Sequence, residues 1–195
     1  MITFQKIRWK NFLSTGDHIS EIDFTKNGTN LIVGTNGTGK STVLDALTFS
    51  LFNKPFRKIN KSQLVNATNE KDTKVEVEFS INGKQYLVRR CMKPNLFEIE
   101  VDGQKMHKQS DDRAMQKILE ENILKVNYKS FTQIVILGSS AFVPFMQLSG
   151  SNRREVIEDL LDIRIFSAMN SIIRDKIRKQ KEEIQVLDLK KDNVK

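Results

Sequence analysis

The sequence of 195 residues contains one cysteine, Cys91, and two histidines. A single cysteine excludes an internal disulfide framework and a cysteine-rich metal site, and it suits a reducing, cytoplasmic compartment. Neither His18 nor His107 has carboxylate or cysteine neighbours at ligand spacing, so we expect no histidine metal site. No apolar run approaches the length of a membrane span, and the N-terminal residues lack the architecture of a signal peptide. We therefore expect no membrane association.

Acidic residues are in the minority: 24 Asp and Glu stand against 32 Lys and Arg, which gives a net charge of +8. This excess favours an anionic partner such as nucleic acid, although a basic protein with no such partner has the same balance. The chain is 38% hydrophobic, which is enough for one sizeable core and an extension.

Residues 34–41 (GTNGTGKS), the phosphate loop, fill every fixed position of the pattern Gly-x4-Gly-Lys-Ser/Thr. In such a loop backbone N–H groups wrap a polyphosphate, the lysine reaches its β- and γ-phosphates, and the serine hydroxyl ligates Mg²⁺. Residues 30–33 predict a short buried strand before the loop. The apolar spacing of residues 41–52 predicts a helix whose N-terminus faces the anion. A glycine-rich surface turn would not explain why Lys40-Ser41 leads into an apolar helix, so we expect a nucleotide site.

Apolar and polar residues alternate in several segments of the chain, as expected of β-strands with one buried face. Strands are predicted at residues 2–9 and 19–24, and again over 75–101, where Asn82-Gly83 forms a hairpin turn. Residues 110–125 predict an amphipathic helix capped by Ser110 or Asp111, and Ile134–Leu137 predicts another buried strand. The fold class is therefore α/β, with an antiparallel β-meander added to the nucleotide-binding core.

Proline and glycine are both missing from residue 152 to the end of the chain. A seven-residue frame places apolar side chains at seven of ten seam positions in this segment, which favours a long coiled-coil helix. The alternative is a lone helix packed on its own domain. The pattern stops without a cap, so we expect a fragment, with an N-terminal lobe at 1–151 and the start of a coiled coil at 152–195. The seam residues are Ile163, Phe166, Asn170, Ile173, Ile177, Gln180, Ile184, Leu187, Lys191 and Val194.

Acidic residues that could complete a catalytic site are absent from the expected positions. Hydrolysis requires an acid that holds Mg²⁺ and positions water, commonly at the end of an apolar strand, and neither predicted buried strand ends in one. Asp45 lies on the predicted loop helix, where packing or surface solvation is the expected role. Residues 148–151 (LSGS) resemble the Leu-Ser-Gly-Gly signature of ABC-type subunits, but a turn capping the long helix through Ser151 or Asn152 explains them better.

The order of motifs resembles the N-terminal half of double-strand-break-repair ATPases related to structural-maintenance-of-chromosomes (SMC) proteins. The resemblance is carried by residues 10–14 (KNFLS), by the loop with the following LDAL, by the hairpin ending in YLVRR, and by residues 131–161. Within this family, residues 134–163 most resemble the large subunits of recombination nucleases of T-even-type phages. The resemblance implies the N-terminal lobe of a phosphate-loop, ABC-type ATPase head, and for a phage protein the host cytoplasm.

The resemblance also implies partners and cofactors. A C-terminal lobe of the same protein would supply the signature and the catalytic acids, and two such heads would form an ATP-dependent homodimer around two ATP molecules. That dimer would regulate a calcineurin-like metallonuclease on double-stranded DNA; the alternative is an SMC-type chromosome-organising ATPase without a nuclease. The ATPase would use Mg²⁺, and the fragment alone would be inactive, with Lys40 stabilising phosphate charge. The implied nucleotide-binding residues are Asn36, Gly37, Thr38, Gly39, Lys40, Ser41 and Thr42, with Ser41 on the metal.

Two positions depart from the family pattern. Relatives place glutamine in the loop after the 134–137 strand, whereas a gapless reading puts Ser139 there and Gln133 lies earlier. Ser139 is a candidate metal ligand through its hydroxyl or a water molecule. Leu13 stands where many relatives have arginine, which removes a phosphate contact and predicts slow or partner-dependent hydrolysis.

A basic connector, residues 54–61, follows the predicted loop helix. Its four cations are the only charged residues between Asp45 and Glu70, and such clustering suits contacts with DNA phosphates. We expect any such contacts to be made to the DNA backbone and to be independent of base sequence. A solvated surface loop is the alternative. The candidate DNA residues are Lys54, Arg57, Lys58 and Lys61.

Overall fold

The computed structural model describes residues 2–106, 111–136, 145–161 and 163–192. The chain divides into two compact units, Met1–Leu148 and Ser149–Lys195.

One antiparallel sheet forms the framework of the first unit, with strand order β2-β1-β3-β4-β5-β6. The predicted meander is confirmed, because β3 to β6 follow one another in sequence and in space. Val77 lies opposite Val88, which in turn lies opposite Ile99, so apolar side chains continue across one face. The strands are β1 (Ile2–Lys10), β2 (Ser20–Asp23), β3 (Thr73–Ile81), β4 (Lys84–Met92), β5 (Leu96–Val101) and β6 (Gln104–Lys105).

The other face of the sheet carries a network of ion pairs. Glu76 on β3 forms an ion pair with Arg8, whose Nε lies 3.3 Å away, and accepts a hydrogen bond from Arg89 Nε. Arg89 Nη1 lies 2.8 Å from Glu98. Alternation along each strand therefore separates an apolar face from a charged one, as expected where one side of a sheet is packed and the other meets water.

Helix α1 (Thr42–Phe52) packs against the apolar face, and its contacts with β3 and β4 form the centre of the core. Phe49 and Leu51 are fully buried, and the Phe49 ring lies 5.7 Å from that of Phe12. The helix ends at Asn53, which has the left-handed conformation of a C-cap, and a short 3₁₀ turn follows at Lys61–Leu64.

Asp111 begins the next helical segment, because its side chain accepts a hydrogen bond from the Arg113 backbone N–H. Helix α2 (Asp112–Lys117) continues as a π-helix over Ile118–Leu124. Helix α3 (Tyr128–Ile134) begins at Asn127, which caps the Ser130 N–H. These segments close the core, since the Phe131 ring lies 5.0 Å from that of Phe52.

Two predicted strands are wrong. Residues 31–33 form no strand, and Leu31 is 86% exposed, because a strand exists only through pairing and none of the described strands pairs with this segment. The predicted strand at Ile134–Leu137 is replaced by the end of α3 and a turn, with Leu137 outside the described residues. There the Asn127 cap and the packing of Phe131 override the strand preference of β-branched residues.

The second unit contains helices α4 (Gly150–Leu160) and α5 (Arg164–Asp192). The predicted continuous helix is interrupted, because α4 ends at Leu160, α5 begins at Arg164, and the first seam residue, Ile163, belongs to neither helix. The predicted caps were also displaced: α4 starts at Gly150, and Ser149 Oγ lies 3.4 Å from the Asn152 backbone N–H. Coiled-coil pairing of α5 stays a prediction. None of the helices in the described part of the chain combines the length and the apolar character needed to span a membrane.

Candidate nucleotide-binding site

The phosphate loop lies immediately before α1 and is shaped by glycines at two positions. Gly37 and Gly39 have φ values of +90° and +92°, a region that side-chain-bearing residues rarely adopt. Thr38 stabilises the turn, because its hydroxyl donates to the Thr35 carbonyl at 2.8 Å. The backbone therefore curls as a cradle for an anion requires, without a Cβ atom at either left-handed position.

The Lys40 ammonium folds back across the loop. Its Nζ donates to the carbonyl oxygens of Gly34 at 2.8 Å and Thr35 at 2.7 Å. An ammonium group has three N–H donors, so two hold the loop closed and one remains for a ligand oxygen. Lys40 is thus anchored at the loop, where a phosphate group would be bound.

Ser41 occupies the N-cap of α1, and its side chain makes no capping hydrogen bond. Its hydroxyl is therefore not committed to the helix, as a Mg²⁺ ligand requires. The positive end of the α1 dipole favours negative charge at the same place. Thr42 is different: it is buried, and its backbone N–H donates to the Gly39 carbonyl at 2.9 Å.

A cavity of about 570 Å³ opens beside the loop. It brings together the predicted residues Asn36, Gly37, Gly39, Lys40, Ser41 and Thr42, whereas Thr38 is not in its lining. None of the described residues that line the cavity is an aspartate or a glutamate. A glycine cradle, one ammonium and one uncommitted hydroxyl fit a Mg²⁺-bound polyphosphate. Leu13, the position where relatives have arginine, also lines the cavity, and so does Arg57, which was predicted as a DNA residue. The remaining lining residues were not predicted as site residues: Ser14, Gln63, Val65 and Ala67.

Asn66 holds together the two loops that form the far wall of the cavity. Its Nδ2 donates to the carbonyl oxygens of Leu13 at 2.9 Å and Thr15 at 3.1 Å, and its Oδ1 accepts from the N–H groups of Thr68 and Asn69. The side chain is buried, so these bonds are shielded from water. Nothing local in the sequence marks this role, since the bonded residues are about fifty positions apart.

Asp45 on α1 is fully buried and binds Arg57 of the connector, with Nε and Nη2 both 2.6 Å from Oδ2. Of the two roles expected for Asp45, surface solvation is wrong, because the side chain is buried and is also paired with Arg57. Because buried carboxylates need partners, a charged residue at a core-facing helix position was the available signal. Arg57, a candidate DNA residue, is bound to Asp45 of α1 and lines the cavity beside the phosphate loop.

The other predicted site residues are dispersed. Lys54 lies over the Tyr128 ring with Nζ 5.5 Å from its centroid, Lys58 is exposed, and Lys61 lies 5.9 Å from the Phe49 ring centroid. Ser139, the candidate metal ligand, is outside the described residues.

The sequence is similar to phage and cellular proteins. It is 42% identical over 189 residues to "Exonuclease subunit 2" of Escherichia phage RB69, covering 97% of this chain and 34% of that protein. It is 40% identical over 167 residues to the same-named protein of Enterobacteria phage T4, covering 86% and 30%. A "DNA double-strand break repair Rad50 ATPase" of Thermoplasma volcanium is 27% identical over 179 residues, covering 89% and 19%. The chain thus spans about a third of the length of its phage relatives or less.

Solved structures share the fold. An Smc head domain with an extended coiled coil from Pyrococcus furiosus, bound to the C-terminal domain of ScpA, aligns with a TM-score of 0.65 at 22% identity, covering 97% of this chain and 49% of that one. An SMC ATPase structure described for ATP-driven dimerization and DNA-stimulated activation aligns at 0.56 and 24% identity, covering 81% and 99%. The predicted head-like α/β fold is confirmed.

These similarities agree with the motif order. The predicted resemblance to SMC-like repair ATPases, and to their phage members, is confirmed by the named relatives. The family model described as "AAA domain" matches residues 6–195, and the chain belongs to that family.

Proposed function

We propose that this chain is the ATP–Mg²⁺-binding part of a DNA-repair or recombination ATPase of the Rad50 and SMC type. The observation that carries the proposal is the loop before α1, where Lys40 and the uncommitted Ser41 hydroxyl open onto the cavity. The loop would bind the phosphates through its N–H groups, Lys40 would offset their charge, and Ser41 would ligate Mg²⁺. Bound Mg²⁺ would neutralise charge on the phosphates.

Hydrolysis would need groups from outside the described cavity. A water molecule must be positioned for attack, and the described lining offers no carboxylate for that task. We therefore place the catalytic acids on a C-terminal lobe of the same protein and complete each site by ATP-dependent pairing of two heads. The purified chain should bind ATP–Mg²⁺ weakly without turning it over.

Titration with a fluorescent ATP analogue and Mg²⁺ tests this. Lys40→Ala should weaken binding at least tenfold, because a charge-assisted phosphate contact of about 1.5–3 kcal/mol is lost. Lys84→Ala, on the β3–β4 hairpin, removes the same charge outside the cavity and should bind as the unaltered chain does. Equal affinities for the two variants, or brisk turnover by the purified chain that Lys40→Ala abolishes, would contradict the proposal.

The nuclease and DNA partners are the second part of the proposal. Two relatives are named exonuclease subunits, and one is named a double-strand break repair ATPase, which favours a nuclease-linked role over chromosome organisation. The partner would be a calcineurin-like metallonuclease, acting on double-stranded DNA in the host cytoplasm. Helix α5 would pair with a second helix along its seam, where Phe166, Ile173 and Ile177 are about half exposed or more.

The connector supplies the test for DNA. With Arg57 bound to Asp45, its remaining cations are Lys54, Lys58 and Lys61. Replacing Lys54 and Lys58 by alanine should lower duplex affinity and reduce the slope of log K against log [salt] by about 1–2, because each phosphate contact contributes about 0.9. Lys84→Ala should leave the slope unchanged. If the slope of log K against log [salt] does not change in the connector variant, the connector does not contact DNA phosphates.

A further inference from the structure

A second cavity, of about 260 Å³, lies between the end of α1, strands β4 and β5, and the start of α2. It is distinct from the nucleotide cavity, because the two share no lining residue. Three of its lining residues are cationic (Lys61, Arg90 and Arg113) and one is anionic (Asp112). The cavity therefore presents an excess of positive charge.

Arg90 is the buried cation of this cavity, with 5% of its surface exposed. Its Nε donates to the Ser50 carbonyl at 3.1 Å, its Nη2 donates to Gln116 Oε1 at 2.6 Å, and its guanidinium stacks 3.7 Å from the Phe97 ring centroid. These contacts fix the plane of the guanidinium on β4. The Nη1 group of the guanidinium makes no hydrogen bond to any described residue.

The charge of Arg90 is not neutralised by an ion pair in the described part of the chain, where no carboxylate lies within salt-bridge distance of it. Burial lowers the pKa of Arg90 to about 10, so it remains protonated at neutral pH. The carboxylates of Asp112 and Glu120 favour the charged form of Arg90 at longer range, but burial has the larger effect on its pKa. An anion in direct contact with the guanidinium would offset more of the cost of burying this charge. Lys61 and Arg113 are exposed and add flexible cations to the same lining.

We propose that this second cavity, the Arg90 pocket, binds a phosphate group. The buried Arg90 guanidinium would contact the phosphate at the base of the pocket, and the exposed Lys61 and Arg113 would contact it at the mouth. An arginine with a free amine suits a tetrahedral oxyanion, because its N–H donors have fixed directions. The volume lies just under the range of about 300–1,000 Å³ that is typical of small-molecule sites, so the pocket suits one phosphate and not a whole nucleotide.

The phosphate can come from the DNA backbone or from free phosphate in solution. The first source rests on the proposed DNA-binding function, because Lys61 belongs both to the basic connector and to the pocket. In that case a backbone phosphate would be anchored at a fixed point beside Lys54 and Lys58, which would hold the duplex in one position without reading its sequence.

The test uses the purified chain with Lys40→Ala, which removes phosphate binding at the loop. Inorganic phosphate is titrated at constant ionic strength, and the Arg90 Nε–H resonance is followed by NMR. Phosphate should shift this resonance saturably, whereas chloride should not. Combining Lys61→Ala with Arg113→Ala should weaken phosphate binding about tenfold or more, because two charge-assisted contacts are lost. Lys84→Ala is the control, because it also removes one positive charge but lies about 20 Å from Arg90 along β4. It should bind phosphate as the Lys40→Ala chain does.

Competition then identifies the source. If duplex DNA displaces the bound phosphate, the pocket anchors the DNA backbone. If phosphate binds and DNA does not displace it, the ligand is free phosphate. A resonance that does not respond, or a double variant that binds phosphate as the Lys84→Ala control does, overturns the proposal. Arg90→Gln is a second variant, used if circular dichroism shows that it folds. ATP-analogue binding by the Lys40→Ala variant and the salt dependence of DNA binding by the Lys54 and Lys58 variant are measured in separate experiments. The proposed function can therefore hold even if phosphate does not bind in the Arg90 pocket.

Discussion

Arg57 donates to both oxygens of the Asp45 carboxylate, from Nε to Oδ2 at 2.6 Å and from its backbone N–H to Oδ1 at 3.0 Å. Asp45 has no exposed surface, whereas 44% of the Arg57 side chain meets solvent. The pair joins the helix that follows the phosphate loop to the connector that forms part of the cavity wall. Its two members therefore differ in what their removal leaves behind.

Arg57→Ala should lower the free energy of unfolding by about 3–5 kcal/mol, because it leaves a buried carboxylate without its cation. Asp45→Asn should cost only about 1–2 kcal/mol, since the half-exposed guanidinium can be hydrated and the amide oxygen can still accept the backbone N–H. Urea denaturation measures both. Lys58→Ala, on the exposed neighbour, should change stability by less than about 0.5 kcal/mol. If Arg57→Ala and Asp45→Asn lower the free energy of unfolding equally, burial of the Asp45 carboxylate does not determine the size of the loss.

Asn66→Ala should lower the unfolding free energy by about 2–4 kcal/mol, because buried hydrogen bonds to Leu13, Thr15, Thr68 and Asn69 are lost. It should also weaken binding of the ATP analogue severalfold, since Leu13 lines the cavity. Denaturation and titration on the same sample separate the effects.

The matched control for this change is Asn27→Ala at an exposed position, which should alter neither quantity. A stable Asn66→Ala variant with unaltered nucleotide affinity would remove Asn66 as a positioning residue.

Gly37→Ala should destabilise the loop by about 1–2 kcal/mol through backbone strain at φ +90° and should reduce affinity for the ATP analogue. Gly28→Ala is a close control, because a Cβ atom meets nothing within 4 Å at either position and only Gly37 has positive φ. Gly28→Ala should therefore be neutral in denaturation and binding. If both variants lose similar stability and affinity, the left-handed backbone of Gly37 is not the cause of the effect.

The ion pairs of Glu76 should make stability depend on pH. Burial raises the pKa of the Glu76 carboxyl, but hydrogen bonds from Lys74 and Arg89 outweigh this, so the pKa lies below the ordinary 4.5. A lowered folded-state pKa contributes stability that is fully present above 4.5 and is lost as the pH falls through the folded value. Glu76→Gln should therefore cost about 1–3 kcal/mol at pH 7 and progressively less below pH 4.5.

Urea denaturation of the unaltered chain and Glu76→Gln between pH 3 and pH 7 checks this dependence. Glu70→Gln, on an exposed residue, is the matched control and should change stability by less than about 0.5 kcal/mol. A Glu76→Gln difference that stays constant down to pH 3 would contradict the assigned direction of the pKa shift.

Much of the fold was accessible from local pattern. The alternation around Asn82-Gly83 predicted β3 to β5 within a few residues, because turn chemistry and a half-buried sheet leave strong sequence signals. The phosphate loop was equally accessible, since its glycines and Lys40 are required by backbone geometry and charge within eight consecutive positions.

The missed features depend on residues distant in sequence. Residues 31–33 are as apolar as a buried strand, but pairing decides whether a strand forms, and the described strands leave Leu31 unpaired. The segment around Ile134 has strand-like composition, but packing of Phe131 against Phe52 makes it helical. Arg57 and Asn66 likewise acquire their roles through contacts with residues 12 and about 50 positions away.

By itself, the sequence determined the sheet's alternating faces, the tight turns and the phosphate loop, because each follows from backbone and side-chain preferences over a few neighbouring residues. Tertiary structure alone decided that Asp45 is paired with Arg57, that Asn66 joins two loops beside the phosphate-loop cavity, and that Arg90 is buried with no carboxylate within salt-bridge distance among the described residues. These features arise when chain folding brings distant polar groups out of water and each group must find a partner in space.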